Sequence, residues 1–230
     1  MATFFVSSIN NDSIVLDEND SKHAIKVLRL KKDDLVDIND GCGTKINGVI
    51  IDADPKKTKV KVLKKVHSKK PILLGLAFCP TKNNDRNDWI IEKATEIGVT
   101  DFHPIYSQNS ERRKFNENRM KKITISAIKQ SGNLWLPKIH PLISFNSFLE
   151  KKFLYNNKLM AHCKDGVKSE LKKITNNNDS QVIIIGPEGD FTYEEISSAE
   201  KYGFKMISLG TNRLRTETAC ISAISIMKLM

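Results

Sequence analysis

The chain has 230 residues, of which 40% are hydrophobic, so it can form one large domain or two modest ones with a buried core. This composition excludes a wholly disordered protein. The formal net charge of +10 favours an anionic partner, either nucleic acid or a membrane surface, although a lysine- and asparagine-rich composition can also produce it alone. The longest apolar runs are shorter than the ~18 residues that a membrane-spanning helix needs.

Four cysteines are scattered along the chain. Cys42, Cys79, Cys163 and Cys220 include no Cys-x-x-Cys pair, and no histidine lies at zinc-finger spacing. We therefore expect reduced, mostly buried thiols, no disulfide framework and no metal site. The first five residues contain no basic leader, which predicts a cytoplasmic protein.

Residues 1–70 have the features of a small β domain. Lys59–Val62 alternates lysine with valine, which places charges on one face of a strand and apolar side chains on the other. Asn39–Gly41 and Asn47–Gly48 are typical of hairpin turns that flank a short strand, so Gly41–Gly43 is interpreted as a turn rather than a phosphate-binding loop. His23–Arg29 is compatible with a short helix.

An abrupt change of composition marks the end of this domain. The lysine-rich segment Lys64–Pro71 ends at a proline and is predicted to be a linker, which gives domains of residues 1–70 and 71–230. Beyond it, strand-like runs alternate with helical patterns, as is typical of a mainly parallel α/β sheet. The predicted strands are Ile72–Phe78, Lys158–Cys163, Gln181–Ile185 and Phe204–Leu209.

Glycines and capping residues set the predicted helix ends. Gly98 and Gly132 are each expected to stop a helix, because glycine tolerates the left-handed backbone that commonly follows the last turn. Thr192 and Glu195 form a capping-box pattern that opens a helix. The predicted helices cover Trp89–Ile97, about Arg119–Ser131, the segment from Thr192 toward Tyr202, and Glu217–Met230.

Two glycine-bearing loops each follow a predicted strand. Gly186–Phe191 comes after the β-branched run Val182–Ile185, and Leu209–Ala219 comes at the end of the next strand. In open parallel sheets, ligands bind at the carboxyl ends of the strands, where glycine lets the backbone approach a ligand closely. One glycine after a strand is common as a plain turn residue. Two such loops in order indicate a ligand-binding crevice.

These loops resemble the motifs of the SPOUT superfamily of S-adenosylmethionine-dependent RNA methyltransferases. Within it, the chain is similar to the bacterial RsmE-like family, which methylates N3 of a uridine in the 16S ribosomal RNA of the small subunit. Asp190 departs from that family's second glycine, and Lys129 and Asn133 occupy positions often filled by Glu and Arg. The matching positions are Gly186–Gly189, Leu209, Gly210, Leu214, Arg215 and Glu217–Ala219, and a third similar stretch lies within residues 82–99.

The resemblance implies a fold, a cofactor and a set of site residues. The expected fold class is α/β, with a C-terminal SPOUT-type trefoil-knotted, mainly parallel sheet that carries helices on both faces, preceded by a small PUA-like β-barrel RNA-binding domain. The expected cofactor is S-adenosyl-L-methionine, and the expected catalytic residues are Arg215 and Glu188. The expected cofactor-binding residues are His162, Ile185, Gly186, Pro187, Glu188, Gly189, Leu209, Gly210, Leu214 and Arg215, and the expected RNA-binding residues are His23, Arg29, Lys82, Arg86 and Arg112.

Methylation at uridine N3 sets a chemical requirement. N3 carries a proton at neutral pH, so the enzyme must release that proton and stabilise the imide anion that attacks the methyl group. Arg215 is the cation expected to do this. Glu188 fits either a general base or an anchor for the loop or the substrate, and Glu217 is expected to cap the terminal helix.

The expected partners are small-subunit ribosomal RNA or the assembled small subunit, and a second copy of the chain. The apolar stripe Ile221, Ile224 and Met227 fits either a dimer contact or burial in the chain's own core. Two other functions stay open: a non-catalytic RNA-binding assembly factor, and a ribose 2′-O-methyltransferase of the same superfamily. The sequence contains no Gly-x-x-x-x-Gly-Lys-Ser/Thr motif, which disfavours a P-loop ATPase.

Overall fold

The computed structural model describes residues 2–7, 12–152, 154–176 and 178–229. It separates into two compact units. The first comprises Met1–Pro71 and Ile125–Leu136, and the second comprises Ile72–Thr124 and Pro137–Met230. The domain boundary after residue 70 remains a prediction. The structure also places Ile125–Leu136 in the first unit, although these residues come after that boundary in the sequence.

The described residues before position 72 contain five strands and a short helical segment. The elements are β1 (Thr3–Phe5), β2 (Ser13–Val15), α1 (Glu18–Lys22), a π-helical turn (His23–Val27), β3 (Leu35–Asn39), β4 (Thr44–Asp52) and β5 (Lys59–His67). They form one sheet with the strand order β1-β3-β4-β5-β2, in which β1 and β3 are parallel and the other neighbours antiparallel. The sheet buries a core that includes Phe4, Ile38, Ile46 and Val60.

Backbone hydrogen bonds explain why residues 125–136 belong to this unit. Gly43 N donates to Leu134 O at 2.9 Å, and Leu136 N donates to Gly41 O at 2.8 Å. The glycine at position 43 is required there, because a Cβ on it would lie 2.4 Å from Trp135 Cζ2. This segment therefore packs on the turn between β3 and β4.

One of the two predicted hairpin turns is wrong. Asn39–Gly41 does form the turn after β3, where Asp40 Oδ1 accepts hydrogen bonds from the N–H groups of Cys42 and Thr44. Asn47–Gly48 instead lies inside β4, where the register shifts between these two residues. A Cβ on Gly48 would lie 2.4 Å from Val60 Cγ1, so packing against β5 explains this glycine.

The predicted linker begins too early. Lys64–His67 continues β5, since the lysine side chains face solvent while the backbone pairs with β4. The predicted short helix at His23–Arg29 is present as a π-helical turn that continues α1. The helical segment begins earlier because Asp17 caps it, accepting a hydrogen bond from Asp20 N at 2.7 Å.

The second unit is an α/β sheet in which every described strand pairing is parallel. Its elements are β6 (Leu74–Phe78), α2 (Asn84–Ile97), β7 (Asp101–Tyr106), α3 (Glu117–Ser131, whose last turns belong to the first unit), β8 (Lys138–Ile139), β9 (Ile143–Ser144), α4 (Phe145–Leu149), β10 (Asn157–Ala161), β11 (Ser169–Glu170), α5 (Leu171–Ile174), β12 (Gln181–Ile185), α6 (Tyr193–Lys201), β13 (Lys205–Ser208) and α7 (Thr216–Leu229). The strand order is β11-β13-β10-β12-β6-β7-β8, and β9 also pairs with β7.

Alternate residues of the central strands pack into two cores on opposite faces of this sheet. Leu76 and Phe78 of β6 lie in one core and Ala77 in the other, and Ile183 and Ile184 divide β12 in the same way. Helices α2 and α7 complete the first core, and α4 and α6 complete the second. The predicted parallel sheet with helices on both faces is confirmed, whereas the trefoil knot stays a prediction.

The predicted C-terminal ends of α2 and α3 and the predicted start of α6 are confirmed, but α2 begins at Asn84 and not at Trp89, because Asn83 caps it. Gly98 follows α2 with φ +105° and Gly132 follows α3 with φ +74°, both in the left-handed region. At the start of α6 both capping-box bonds are present, from Glu195 N to Thr192 Oγ1 (3.2 Å) and from Thr192 N to Glu195 Oε2 (3.0 Å). None of the described helices combines the length and apolar character needed to cross a membrane.

The apolar stripe of α7 packs mainly inward. Ile224 and Met227 are buried in the core of the chain itself, and Ile221 is half-buried against it. Of the two uses that the sequence left open for this stripe, the structure therefore shows burial in the chain's own core. Met230, the predicted last residue of the helix, lies outside the described residues.

All four cysteines are free thiols, but only half are buried. Cys79 and Cys220 lie in the two cores, as expected. Cys42 and Cys163 are exposed, contrary to the expectation of mostly buried thiols, because each lies in a loop that follows a strand.

Candidate active site

The segments that follow three adjacent strands line one cavity. β13, β10 and β12 are neighbouring parallel strands, so their carboxyl ends lie at the same edge of the sheet. The segments that follow them converge on a cavity of about 760 Å³. This volume is in the range of small-molecule binding sites.

The glycine loop, Gly186–Phe191, forms one wall of this cavity. Gly186 is buried, and its carbonyl accepts a hydrogen bond from Thr216 Oγ1 at 3.1 Å, which fixes the loop against the start of α7. Asp190 N donates to Pro187 O at 2.9 Å and closes a tight turn. The loop is thus held on both sides by protein contacts, and its backbone is already positioned for a ligand.

The second loop, 209–215, forms the facing wall. Gly210 has φ +132°, and a Cβ built on it meets nothing within 4 Å. Ser208 Oγ fixes this glycine by accepting from its N–H at 3.2 Å. Arg213 Nη2 donates to Glu188 O at 3.0 Å and ties the two loops together.

Cations outnumber acids in the cavity wall. Arg86, Lys168, Arg213 and Arg215 line the cavity together with Glu188 and Asp190. Arg86 Nε lies 3.4 Å from Glu217 Oε1, while Glu217 Oε2 is buried without a hydrogen-bond partner among the described residues. Glu217 itself is absent from the described lining, so it acts on the cavity wall through Arg86.

His162 has two shielded nitrogens in the cavity wall. Neither Nδ1 nor Nε2 has a hydrogen-bond partner among the described residues, although both are buried. Burial, followed by the nearby charge of Lys168, lowers the pKa of His162, which favours its neutral ring. A neutral ring offers one donor and one acceptor, but both nitrogens are shielded here, so His162 contributes to the wall without presenting them to the cavity.

The structure brings most of the expected cofactor-binding residues together. Gly189 is the exception, since it is absent from the described cavity lining and packs instead against Asn109. Arg86, expected to contact RNA, lies in the cavity wall. The expected residues that line the cavity are His162, Ile185, Gly186, Pro187, Glu188, Leu209, Gly210, Leu214 and Arg215.

The other expected RNA-binding residues lie outside the described cavity lining. Lys82 and Arg112 are neighbours in the second unit, where Arg112 Nη1 donates to Lys82 O at 2.9 Å. His23 and Arg29 belong to the first unit and are exposed, and Arg29 adopts a left-handed φ of +56°.

Several lining residues were not assigned to the site from the sequence. Cys163 and Lys168 follow β10, and Arg213 lies between the matched motif positions Gly210 and Leu214. The position of β10 between β12 and β13 would have identified the first two, because its carboxyl end meets the same edge. That strand order is not visible in a single sequence.

A second cluster combines residue types that bind metals. Asp101, His103 and His140 bring ligand-type atoms within 4.8 Å of one another. The imidazoles of His103 and His140 are stacked, with centroids 4.1 Å apart and planes inclined by 17°, so their ring planes do not converge on one ion. The groups instead form hydrogen bonds, from His140 Nε2 to Asp101 Oδ1 (3.0 Å) and between His103 Nε2 and Tyr155 OH (3.1 Å).

Two family models match the chain. One, described as an RNA methyltransferase domain, matches residues 68–228. The other, described as an RNA methyltransferase PUA domain, matches residues 16–63. Together they cover both units.

Individual proteins are similar over almost the whole chain. Ribosomal RNA small subunit methyltransferase E of Rickettsia conorii is 33% identical over 229 residues, covering 96% of this chain and 91% of the relative. The crystal structure of a probable rRNA-methyltransferase from Porphyromonas gingivalis is 33% identical, with a TM-score of 0.90, covering 97% of this chain and 95% of that one. The structure of ribosomal RNA small subunit methyltransferase E from Neisseria gonorrhoeae, bound to S-adenosyl methionine, is 28% identical, with a TM-score of 0.89 and coverage of 100% and 97%.

Proposed function

The chain belongs to the ribosomal RNA small subunit methyltransferase E family, and we propose on that premise that it methylates N3 of a specific uridine in the 16S RNA of the small ribosomal subunit, with S-adenosyl-L-methionine as methyl donor. The observation that carries the proposal is the cavity at which the two glycine loops converge. The similar protein from Neisseria gonorrhoeae is bound to this donor.

The residues of the cavity fit the proposed donor. S-adenosylmethionine supplies an electrophilic methyl group on a sulfonium. Leu209 and Leu214 offer apolar contacts for its adenine, and Gly186 and Gly210 let backbone groups approach it. His162 completes the same wall.

Arg215 is proposed to act on the attacking uridine. It is exposed at the cavity edge, on the loop that precedes α7. Its guanidinium stabilises the negative charge that develops on the imide when N3 loses its proton, an effect of about 10²–10³ in rate for a typical contact of this kind. Glu188 has an exposed side chain in the facing loop, and we propose that it accepts the proton or anchors the substrate.

We propose that residues 1–70 contribute RNA affinity. Lys61 and Lys64 are exposed on β5, and His23 and Arg29 are exposed after α1. Such cations bind phosphate groups without reading sequence, so they position the RNA while the second unit performs the chemistry. The other RNA-binding residues proposed are Lys82, Arg86 and Arg112. By family resemblance, we also propose a cytoplasmic homodimer.

Ribosomal RNA from cells that lack and then regain this protein tests the proposal. Mass spectrometry of the nucleosides should show one N3-methyluridine that disappears with the protein and returns with the wild type. Arg215→Ala should fail to restore it, and should lower the rate of methyl transfer by about 10²–10³ in a purified assay. Lys201→Ala, which removes an exposed cation at the end of α6, should restore it fully.

Each alternative function predicts a different result. A ribose 2′-O-methyltransferase would yield a sugar-methylated nucleoside. A non-catalytic assembly factor would restore no methylated nucleoside and would show no heat of binding when titrated with S-adenosylmethionine. Equal activity of Arg215→Ala and wild type would remove Arg215 from the chemistry while leaving the reaction itself standing.

A further inference from the structure

Asp190 occupies a position at which the family pattern has glycine. Its φ is +59°, a left-handed backbone that glycine adopts without steric cost and that aspartate tolerates better than most residues. The side chain is buried, with 9% of the residue exposed. Its two carboxylate oxygens each accept a hydrogen bond: Oδ2 from Cys163 N of the segment after β10 at 2.8 Å, and Oδ1 from the adjacent Phe191 N at 2.9 Å.

The hydrogen bond from Cys163 N connects walls that come from different strands, while the bond from Phe191 N holds the carboxylate within its own loop. Cys163 follows β10 and is adjacent to His162, whose ring nitrogens are shielded and unpartnered at the cavity. Phe191 ends the glycine loop after β12, and its ring lies directly against Gly186. A glycine at position 190 would keep the backbone conformation but would provide neither bond.

We propose that Asp190 is a positioning residue that fixes the His162–Cys163 wall against the glycine loop and thereby sets the affinity for the methyl donor. The proposal rests on the proposed function, since it assumes that the donor binds in this cavity. A wall that is held in place before binding needs less ordering when the ligand arrives. The hydrogen bond from Cys163 N to Asp190, called the tether below, therefore strengthens binding. The carboxylate acts through the backbone N–H of Cys163 and not by touching the reacting atoms.

Two substitutions separate the tether from the backbone conformation. Asp190→Gly retains the left-handed φ and removes both hydrogen bonds. Asp190→Asn also tolerates this φ and keeps nearly the same volume, but its amide has one oxygen acceptor, so its NH₂ group must face one of the two N–H donors. Asp165→Asn removes the same charge from an exposed residue of the neighbouring loop and serves as the matched control.

Both Asp190 variants should bind S-adenosylmethionine about tenfold more weakly in calorimetric titration. KM for the donor should rise by more than kcat falls, and the Cys163 amide should exchange its hydrogen faster than in wild type. Asp165→Asn should match wild type in all three measurements. The thermal unfolding midpoint of each variant establishes that it is folded under assay conditions, and Asp190→Gly is expected to pass this check because it relieves the strained φ.

The demethylated product, S-adenosylhomocysteine, distinguishes positioning from direct charge attraction. The product lacks the positive charge on sulfur, so loss of a tether should weaken its binding by the same factor as that of the donor. Weakening confined to the charged donor would overturn the positioning role, as would folded Asp190 variants that bind both ligands as wild type does. Failure of the wild-type protein to bind the donor at all would instead overturn the proposed function.

Discussion

Replacing Gly186 with alanine should destabilise the protein through a single steric contact. An ideal Cβ on Gly186 would lie 2.7 Å from Phe191 Cε2, and ordinary contact begins near 3.4 Å. The ring would have to retreat by about 0.7 Å, and overpacking of this kind costs about 1–3 kcal/mol in a well-packed core. Phe191 is fully buried and packs against Phe145 with centroids 5.3 Å apart, so the ring has little room to move.

Thermal and urea unfolding, followed by circular dichroism, would measure this cost. For a chain of this size each kcal/mol lowers Tm by about 2–4 °C, so the expected decrease is about 2–12 °C. Gly186 does not have a positive φ, so alanine brings no left-handed backbone strain, and its restriction of the unfolded chain offsets only about 0.4–1 kcal/mol of the steric cost. Donor affinity should fall as well, because Gly186 lines the cavity.

A second substitution identifies the contact. Phe191→Leu removes the ring atoms that the alanine methyl group would meet, at an expected cost of about 1–2 kcal/mol for the space it leaves. In the double variant the methyl group occupies part of that space, so the two costs should overlap by at least about 1 kcal/mol. If the destabilisation of the double variant equals the sum of the two single-variant values to within about 0.5 kcal/mol, the steric explanation is refuted.

Two further predictions follow from burial and from family membership. Burial, and then the neighbouring His140, lowers the pKa of His103 to about 3 from 6.5. The unfolded chain takes up this proton below pH 6.5 and the folded chain does not, so stability is lost as pH falls, by about 2 kcal/mol at pH 5. His103→Gln should reduce the pH dependence of the unfolding free energy, measured by urea unfolding between pH 7 and 5. A variant whose unfolding free energy falls as steeply as that of wild type would show that His103 does not cause the loss. Sedimentation velocity at micromolar concentration should give twice the 26.0 kDa mass of one chain, and an active monomer would exclude the proposed homodimer.

Local chemistry made much of the fold predictable. Gly98 and Gly132 end their helices because their positive φ suits glycine, and Gln181–Ile185 was recognised because a buried central strand is apolar on both faces. β7 was missed: it contains Pro104, which is unusual inside a paired strand, yet this residue lies opposite Phe78 in the ladder. Asn47–Gly48 was misassigned because a bulge and a turn share the same local residue preference.

The sequence predicted only those parts of the candidate site that directly follow a strand along the chain. Each glycine loop comes directly after its own strand, so sequence order located both of them. The bonds from Arg213 to Glu188 and from Asp190 to Cys163 join segments whose proximity depends on the strand order, and no local pattern encodes that order. The burial of Ile224 and Met227 was equally undetermined, because an apolar stripe fits a core or a partner equally well.

The parallel pairing of β6 with β12 has a consequence during synthesis. Leu74 pairs with Gln181, so the strand beside β6 is made long after β6 itself. At about 5–20 residues per second, translation leaves that edge of β6 without its partner for roughly 5–20 s. All five residues of β6 are buried in the finished protein, so the nascent chain exposes an apolar strand edge throughout that interval. Newly made chains are therefore most prone to aggregate before β12 has left the ribosome, and a nascent-chain chaperone would protect them most during this period.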